Sequence, residues 1–107
     1  MKQICIVCFA NYCRSPVAER IIQHILKDRG IKIVSAGLNP IPKASMDQRS
    51  INFLLKNKYS TVSHSPRKIT HEIVRESDVI YAMDIFILME LNNKFKNSKN
   101  KIKLINY

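Results

Sequence analysis

The chain has 107 residues, 46% of them apolar, enough for one small folded domain over residues 1–107 and too apolar for a disordered tail. Lys and Arg number 18 against 8 Asp and Glu, a formal net charge of +10 that favours anionic partners. No run is long enough to cross a membrane, and Cys5, Cys8 and Cys13 stand too close together for a secreted disulfide framework, which points to the cytoplasm. His24, His64 and His71 show no paired ligand spacing, so no metal or other cofactor is expected.

Lys2 to Val7 reads as a buried strand. A loop from Cys8 follows, then a helix over about Ser15 to Asp28, with Pro16 in its first turn, Ala18, Ile21, Ile22, Ile25 and Leu26 at helical period, and Gly30 as C-terminal cap. Lys32 to Ser35 is a second strand. Ser45 and Gln48 have capping-box spacing before a helix carrying Ile51, Leu54 and Leu55 on one face. Ser65-Pro66 marks a turn, and Thr70 caps a short helix stapled by Ile69 and Val74. Val79 to Met83 is a third strand. Asp84 caps a helix that turns Leu88, Leu91 and Phe95 inward. The Asn- and Lys-rich stretch Asn92 to Asn100 reads as a solvated loop, and Ile102 to Ile105 as a fourth strand.

Apolar runs alternating with helices predict an α/β fold: a single-domain, four-stranded parallel sheet flanked by helices, with a phosphate-binding loop between the first strand and first helix. Ligands of such sheets bind at the carboxyl ends of the strands, where Cys8 falls.

Cys8-Phe9-Ala10-Asn11-Tyr12-Cys13-Arg14-Ser15 is the layout of a nucleophile that grips phosphate. Between a strand and a helix, the backbone N–H groups of Phe9, Ala10, Asn11, Tyr12 and Cys13, with the helix N-terminus, point at a bound oxyanion. The same field favours a thiolate at Cys8 for in-line attack on phosphorus. Arg14 supplies forked donors for two phosphoryl oxygens, and Ser15 a hydrogen bond to the sulfur as leaving group. Read blandly, a buried cysteine ends a strand and an arginine happens to follow.

The loop, with Cys8, Asn11, Cys13, Arg14, Ser15 and Pro16, resembles that of the low-molecular-weight protein tyrosine phosphatases. Val34-Ser35-Ala36-Gly37, Met46-Asp47-Gln48-Arg49, His64-Ser65-Pro66-Arg67-Lys68-Ile69-Thr70 and Ala82-Met83-Asp84 extend the likeness in the same order. The resemblance implies Cys8 as nucleophile, Arg14 as phosphate binder, Ser15 as sulfur partner, Asn11 as loop organiser and Cys13 as a redox partner of Cys8. Phe9 either lines the mouth or tucks into the core.

Two departures bear on function. Ala10 stands where the family has glycine, which strains the loop if that position needs a positive φ. The family's general acid lies in a downstream Asp-Pro pair, and no Asp here precedes Pro. The family's C-terminal part, with its closing helix, is missing from these residues, which leaves part of a sheet face bare for a second copy or a partner chain to cover. The first expectation is hydrolysis of phosphotyrosine or aryl phosphate esters through a phosphocysteine, impaired without the acid. Its alternative is a weak or inactive module that binds phosphate, other oxyanions or a phosphorylated protein. Arsenate reduction lacks the further cysteines it needs, and nucleic acid lacks a groove-reading motif.

Overall fold

The computed structural model describes residues 2–11, 14–40, 48–58 and 66–105, with Arg14 and Ser15 described in backbone only. The strands are β1 (Gln3–Cys8), β2 (Lys32–Gly37), β3 (Val79–Ala82) and β4 (Ile102–Leu104), and the α-helices are α1 (Arg14–Ile25), α2 (Gln48–Lys56), α3 (His71–Glu76) and α4 (Ile85–Lys94). All strand pairs are parallel, in the order β2-β1-β3-β4. The expected architecture is the one observed.

All six residues of β1 are buried, as a central parallel strand covered on both faces requires. Its alternation feeds two cores. Cys5 and Val7 join Ile80, Ala82 and Ile102 beneath α3 and α4, which contribute Val74, Ile87 and Leu91. Ile4, Ile6 and Cys8 face the other way, with Ile33 and Met83, against Ala18 and Ile22 of α1 and Leu26 just after it. Each fully buried aliphatic side chain contributes roughly 1.5–3 kcal/mol.

The expected caps of α3 and α4 are present. Thr70 Oγ1 accepts from Ile73 N at 3.1 Å, and Asp84 Oδ1 from Ile87 N at 2.9 Å. Ile69 and Val74 are both buried in one core, the staple foreseen for α3. Gly30 has φ 68°, but α1 stops at Ile25, and residues 26–30 form turns rather than a last helical stretch. Three expectations are corrected. Ile25 and Leu55 are 67% and 59% exposed, so neither belongs to the inner face of its helix. The Lys-rich segment is a 3-10 helix, Lys96–Lys101, rather than a loop. Phe95 anchors its start in the core at 3% exposure, and Lys101 Nζ donates to Ser77 O at 2.9 Å. The Ser45 cap and Ser65 lie outside the described residues.

On the α1 side, a groove of about 320 Å³ is lined by Ile4, Ile22, Leu26, Tyr81, Leu104 and Ile105. Among the described residues α1 packs on β1 and β2, and the groove lies over the β3–β4 half of that face.

Candidate active site

Cys8 ends β1 at the carboxyl edge of the sheet and is 3% exposed. The chain then turns sharply. Asn11 N donates to Cys8 Sγ at 3.1 Å, so the middle amide of the five expected to form the nest points at sulfur. Asn11 makes this possible by adopting φ 53°, a left-handed conformation that asparagine tolerates better than most residues.

The Asn11 side chain, fully buried, accepts from Arg67 N through Oδ1 at 3.0 Å. Arg67 belongs to a segment that pairs with β2: Gly37 N donates to Arg67 O at 2.8 Å and Ile69 N to Gly37 O at 2.9 Å. The amide thus ties the loop to chain 56 residues away, the cross-bracing expected of it. The strain foreseen at Ala10 is absent. Among the described residues other than glycine, only Asn11 and Lys58 have positive φ, so the left-handed turn falls one position after Ala10.

Gly37 was part of a matching segment but carried no role in the sequence. A Cβ there would lie 2.8 Å from Phe9 O, 2.9 Å from Asn11 N and 3.0 Å from Ala10 C. The loop therefore rests backbone to backbone on β2, and Leu38 N and Asn39 N donate to Cys8 O and Phe9 O at 3.1 and 2.8 Å. No sequence pattern distinguishes this glycine from an ordinary strand end.

A buried charged pair was also missed. Glu19 and Arg20, adjacent on α1, are 4% and 7% exposed. Glu19 Oε1 accepts from Ser35 Oγ at 2.6 Å, and its Oε2 pairs with Arg20 Nη1. This pins α1, which begins with Arg14, to β2 two residues before Gly37. In the sequence, two neighbouring charges on a helix read as solvent-facing.

Of the other predicted site residues, Phe9 is 46% exposed and so outside the core. Arg14 and Ser15 open α1 directly after the loop. Tyr12 and Cys13 lie outside the described residues, as do Asp47 and His64 of the matching segments. His71 starts α3 and packs edge-on against Phe95 at 4.9 Å. Cys5 is buried, and burial pushes its thiol up to about 12, which leaves it protonated at neutral pH. No described helix is long and apolar enough to cross a membrane.

A strand that ends at a cysteine, a turn that aims an amide at its sulfur and a helix that opens on Arg-Ser follow one another in the expected order. The chain belongs to the low molecular weight phosphotyrosine protein phosphatase family, whose model matches residues 3–107. Etp of Escherichia coli (strain K12), a low molecular weight protein-tyrosine-phosphatase, is 36% identical over 83 residues, covering 78% of this chain and 55% of Etp. The chain thus spans about half the length of that relative. The low molecular weight phosphotyrosine protein phosphatase of Sus scrofa is 32% identical over 112 residues, covering 97% of this chain and 70% of its own. Among solved structures, the tyrosine phosphatase Wzb from Escherichia coli K30, in complex with sulphate, superposes with a TM-score of 0.88 at 27% identity, covering 96% of this chain and 71% of that one.

Proposed function

We propose that the chain hydrolyses phosphotyrosine and related aryl phosphate monoesters through a phosphocysteine. The observation that carries this reading is the Asn11 N–H aimed at Cys8 Sγ within a loop that Gly37 and Arg67 hold shut. In the first step the Cys8 sulfur attacks phosphorus, an S–P bond forms, and the P–O bond to the phenol breaks with its electron pair. In the second, water attacks phosphorus, the S–P bond breaks, and inorganic phosphate leaves. The amides of Phe9 to Cys13 and the Arg14 guanidinium stabilise the equatorial oxygens, and Ser15 donates to the departing sulfur. Sulphate bound to Wzb supports a tetrahedral oxyanion as the natural occupant of this loop.

The 107 residues contain no Asp-Pro pair. General acid help is typically worth about 100- to 10,000-fold. The segment by itself therefore favours esters with good leaving groups. A second reading is a module that holds phosphate or a phosphoprotein without turning it over. Cys13 is read as a thiol that forms a reversible disulfide with Cys8 under oxidation. The apolar groove on the α1 side is read as the seat of a second copy or a partner chain, and the protein as cytoplasmic.

The deciding assay is turnover of p-nitrophenyl phosphate by the wild type and by Cys8→Ser, with orthovanadate as competitor. Turnover that vanadate blocks and Cys8→Ser abolishes supports the hydrolase. Vanadate binding without turnover supports the module, and the absence of both turnover and vanadate binding leaves the loop no role in anion chemistry.

A further inference from the structure

A cavity of about 310 Å³ lies on the α3–α4 side of the sheet, where α4 passes into the 3-10 helix. Its floor is Phe95, whose side chain belongs to the core. His71 meets that ring edge-on at 4.9 Å and 77°, and Lys94 Nζ stands 5.9 Å from its centroid. One buried ring thus fixes two basic side chains at the rim, by edge-to-face and cation–π contact. Lys96 follows on the other side of Phe95. Asn93, Asn97 and Ser98 complete the lining with two amides and a hydroxyl, and no carboxylate takes part.

The local sequence sharpens the sign of the charge. From Leu91 to Tyr107 there are five Lys and no Asp or Glu. A run of lysines is ordinarily a solvated face, and Lys99 and Lys103, exposed and outside the cavity, fit that description. Lys94 and Lys96 differ, because they border a concavity whose low-dielectric floor focuses their field. The acids nearest in sequence are Glu72, next to His71, and Glu90, one turn before Lys94, and neither lines the cavity. The two lysines alone would match a phosphate monoester, which carries about −1.5 to −2 charges. His71, the amides and the hydroxyl supply donors beyond that. The volume lies at the lower end of small-molecule sites, about 300–1,000 Å³, and leaves room for a second phosphoryl group.

We propose that this cavity is a second anion site, binding a small molecule that carries two linked phosphoryl groups. It is separate from the candidate active site. Cys8 ends β1 at the carboxyl edge and belongs to the core under α1. Phe95 belongs to the opposite core, and the 3-10 helix leads into the start of β4 at the amino edge. The site therefore does not depend on the hydrolase reading, and the two stand or fall apart.

The test is titration of the chain with pyrophosphate and, separately, with orthophosphate, read from the NMR shifts of its backbone amides. Pyrophosphate should move the amides of His71 and of residues 93–98 along a saturable curve, about tenfold tighter than orthophosphate. The double variant Lys94→Gln, Lys96→Gln should weaken that curve about tenfold or more, since it removes two charge-assisted contacts. The control Lys99→Gln, Lys103→Gln removes the same charge outside the cavity and should change the curve less than about twofold. All four lysines are exposed, and unchanged amide shifts in β1 and β3 check that both variants keep the fold. An unsaturated, linear response at residues 93–98, or an equal loss in both double variants, means diffuse attraction to a basic surface and overturns the proposal. Equal affinity for the two anions overturns it as well. Binding at the Cys8 loop is read from its own amides, so a failure of the hydrolase reading shows there and not at the cavity.

Discussion

The two ends of β1 are held by the same device, a side chain reaching backbone amides, with opposite consequences. At the carboxyl end Asn11 does so fully buried, in a left-handed turn, against a glycine that leaves no room for a Cβ. At the amino end Asp78 Oδ2 accepts from Lys2 N at 2.7 Å and Gln3 N at 2.9 Å. The backbone N–H groups of Gln3 and then Lys2 draw the Asp78 carboxyl below its usual range. Buried Gln3 also donates through Nε2 to Ser77 Oγ at 2.9 Å. One end is dry and over-determined; the other is wet and replaceable. A site that must aim amides at sulfur needs the first kind of anchor, because water would otherwise compete for each donor.

The contrast breaks most sharply at Gly37. In Gly37→Val the added side chain meets loop backbone, which has no flexible end to move aside. Overpacking of this kind costs typically 1–3 kcal/mol of stability. Aryl phosphate turnover should drop about 100-fold or more, since misplacing the loop by about an ångström has that effect. Thermal denaturation and kcat/KM on p-nitrophenyl phosphate check both, and full activity would show that the close approach is not needed.

Asn11→Ala comes next. It strands the Arg67 N–H and puts a poor residue in the left-handed region, a combined cost of about 2 kcal/mol. Asn11→Gly relieves the backbone but not the lost bond. Its stability should lie between those of wild type and Asn11→Ala, while orthovanadate affinity falls in both variants. Equal stability of the two variants in urea would assign the whole effect to the hydrogen bond.

Glu19→Gln keeps the shape of the buried pair and removes its charge. Breaking a buried charge pair at one partner costs about 3–5 kcal/mol at most, and less where a neutral acceptor still serves Ser35. Denaturant midpoints should fall well below wild type, with Ser35→Ala showing a smaller loss.

The smallest effect belongs to Asp78. Its folded value is depressed, so its contribution is present above the unfolded carboxylate value of about 3.9 and is lost as pH falls through the folded one. Asp78→Asn should flatten the decline of stability in acid and leave activity at neutral pH unchanged. Urea midpoints across pH 2–6, about the carboxylate range, would show an unaltered slope if Asp78 were idle.

Much of this protein was legible as sequence because its signals are local. The near-continuous apolar character of the four strands and Thr70 and Asp84 before their helices each state a backbone preference that the fold then honours. The order strand, cysteine, loop, Arg-Ser helix likewise puts Cys8 at the carboxyl edge of the sheet. Tertiary structure decided what depends on distant chain. Ile25 and Leu55 obey helical period yet face solvent, because no described element packs over them. The Lys-rich stretch folds because buried Phe95 and the Lys101 bond to Ser77 hold its ends. Gly37, Arg67 and the Glu19–Arg20 pair gain their roles only when β2, α1 and the residue 66–69 segment converge on the loop. A side chain's preference for helix or turn is written in itself and its neighbours, whereas a close approach is a property of two backbones that meet only after folding.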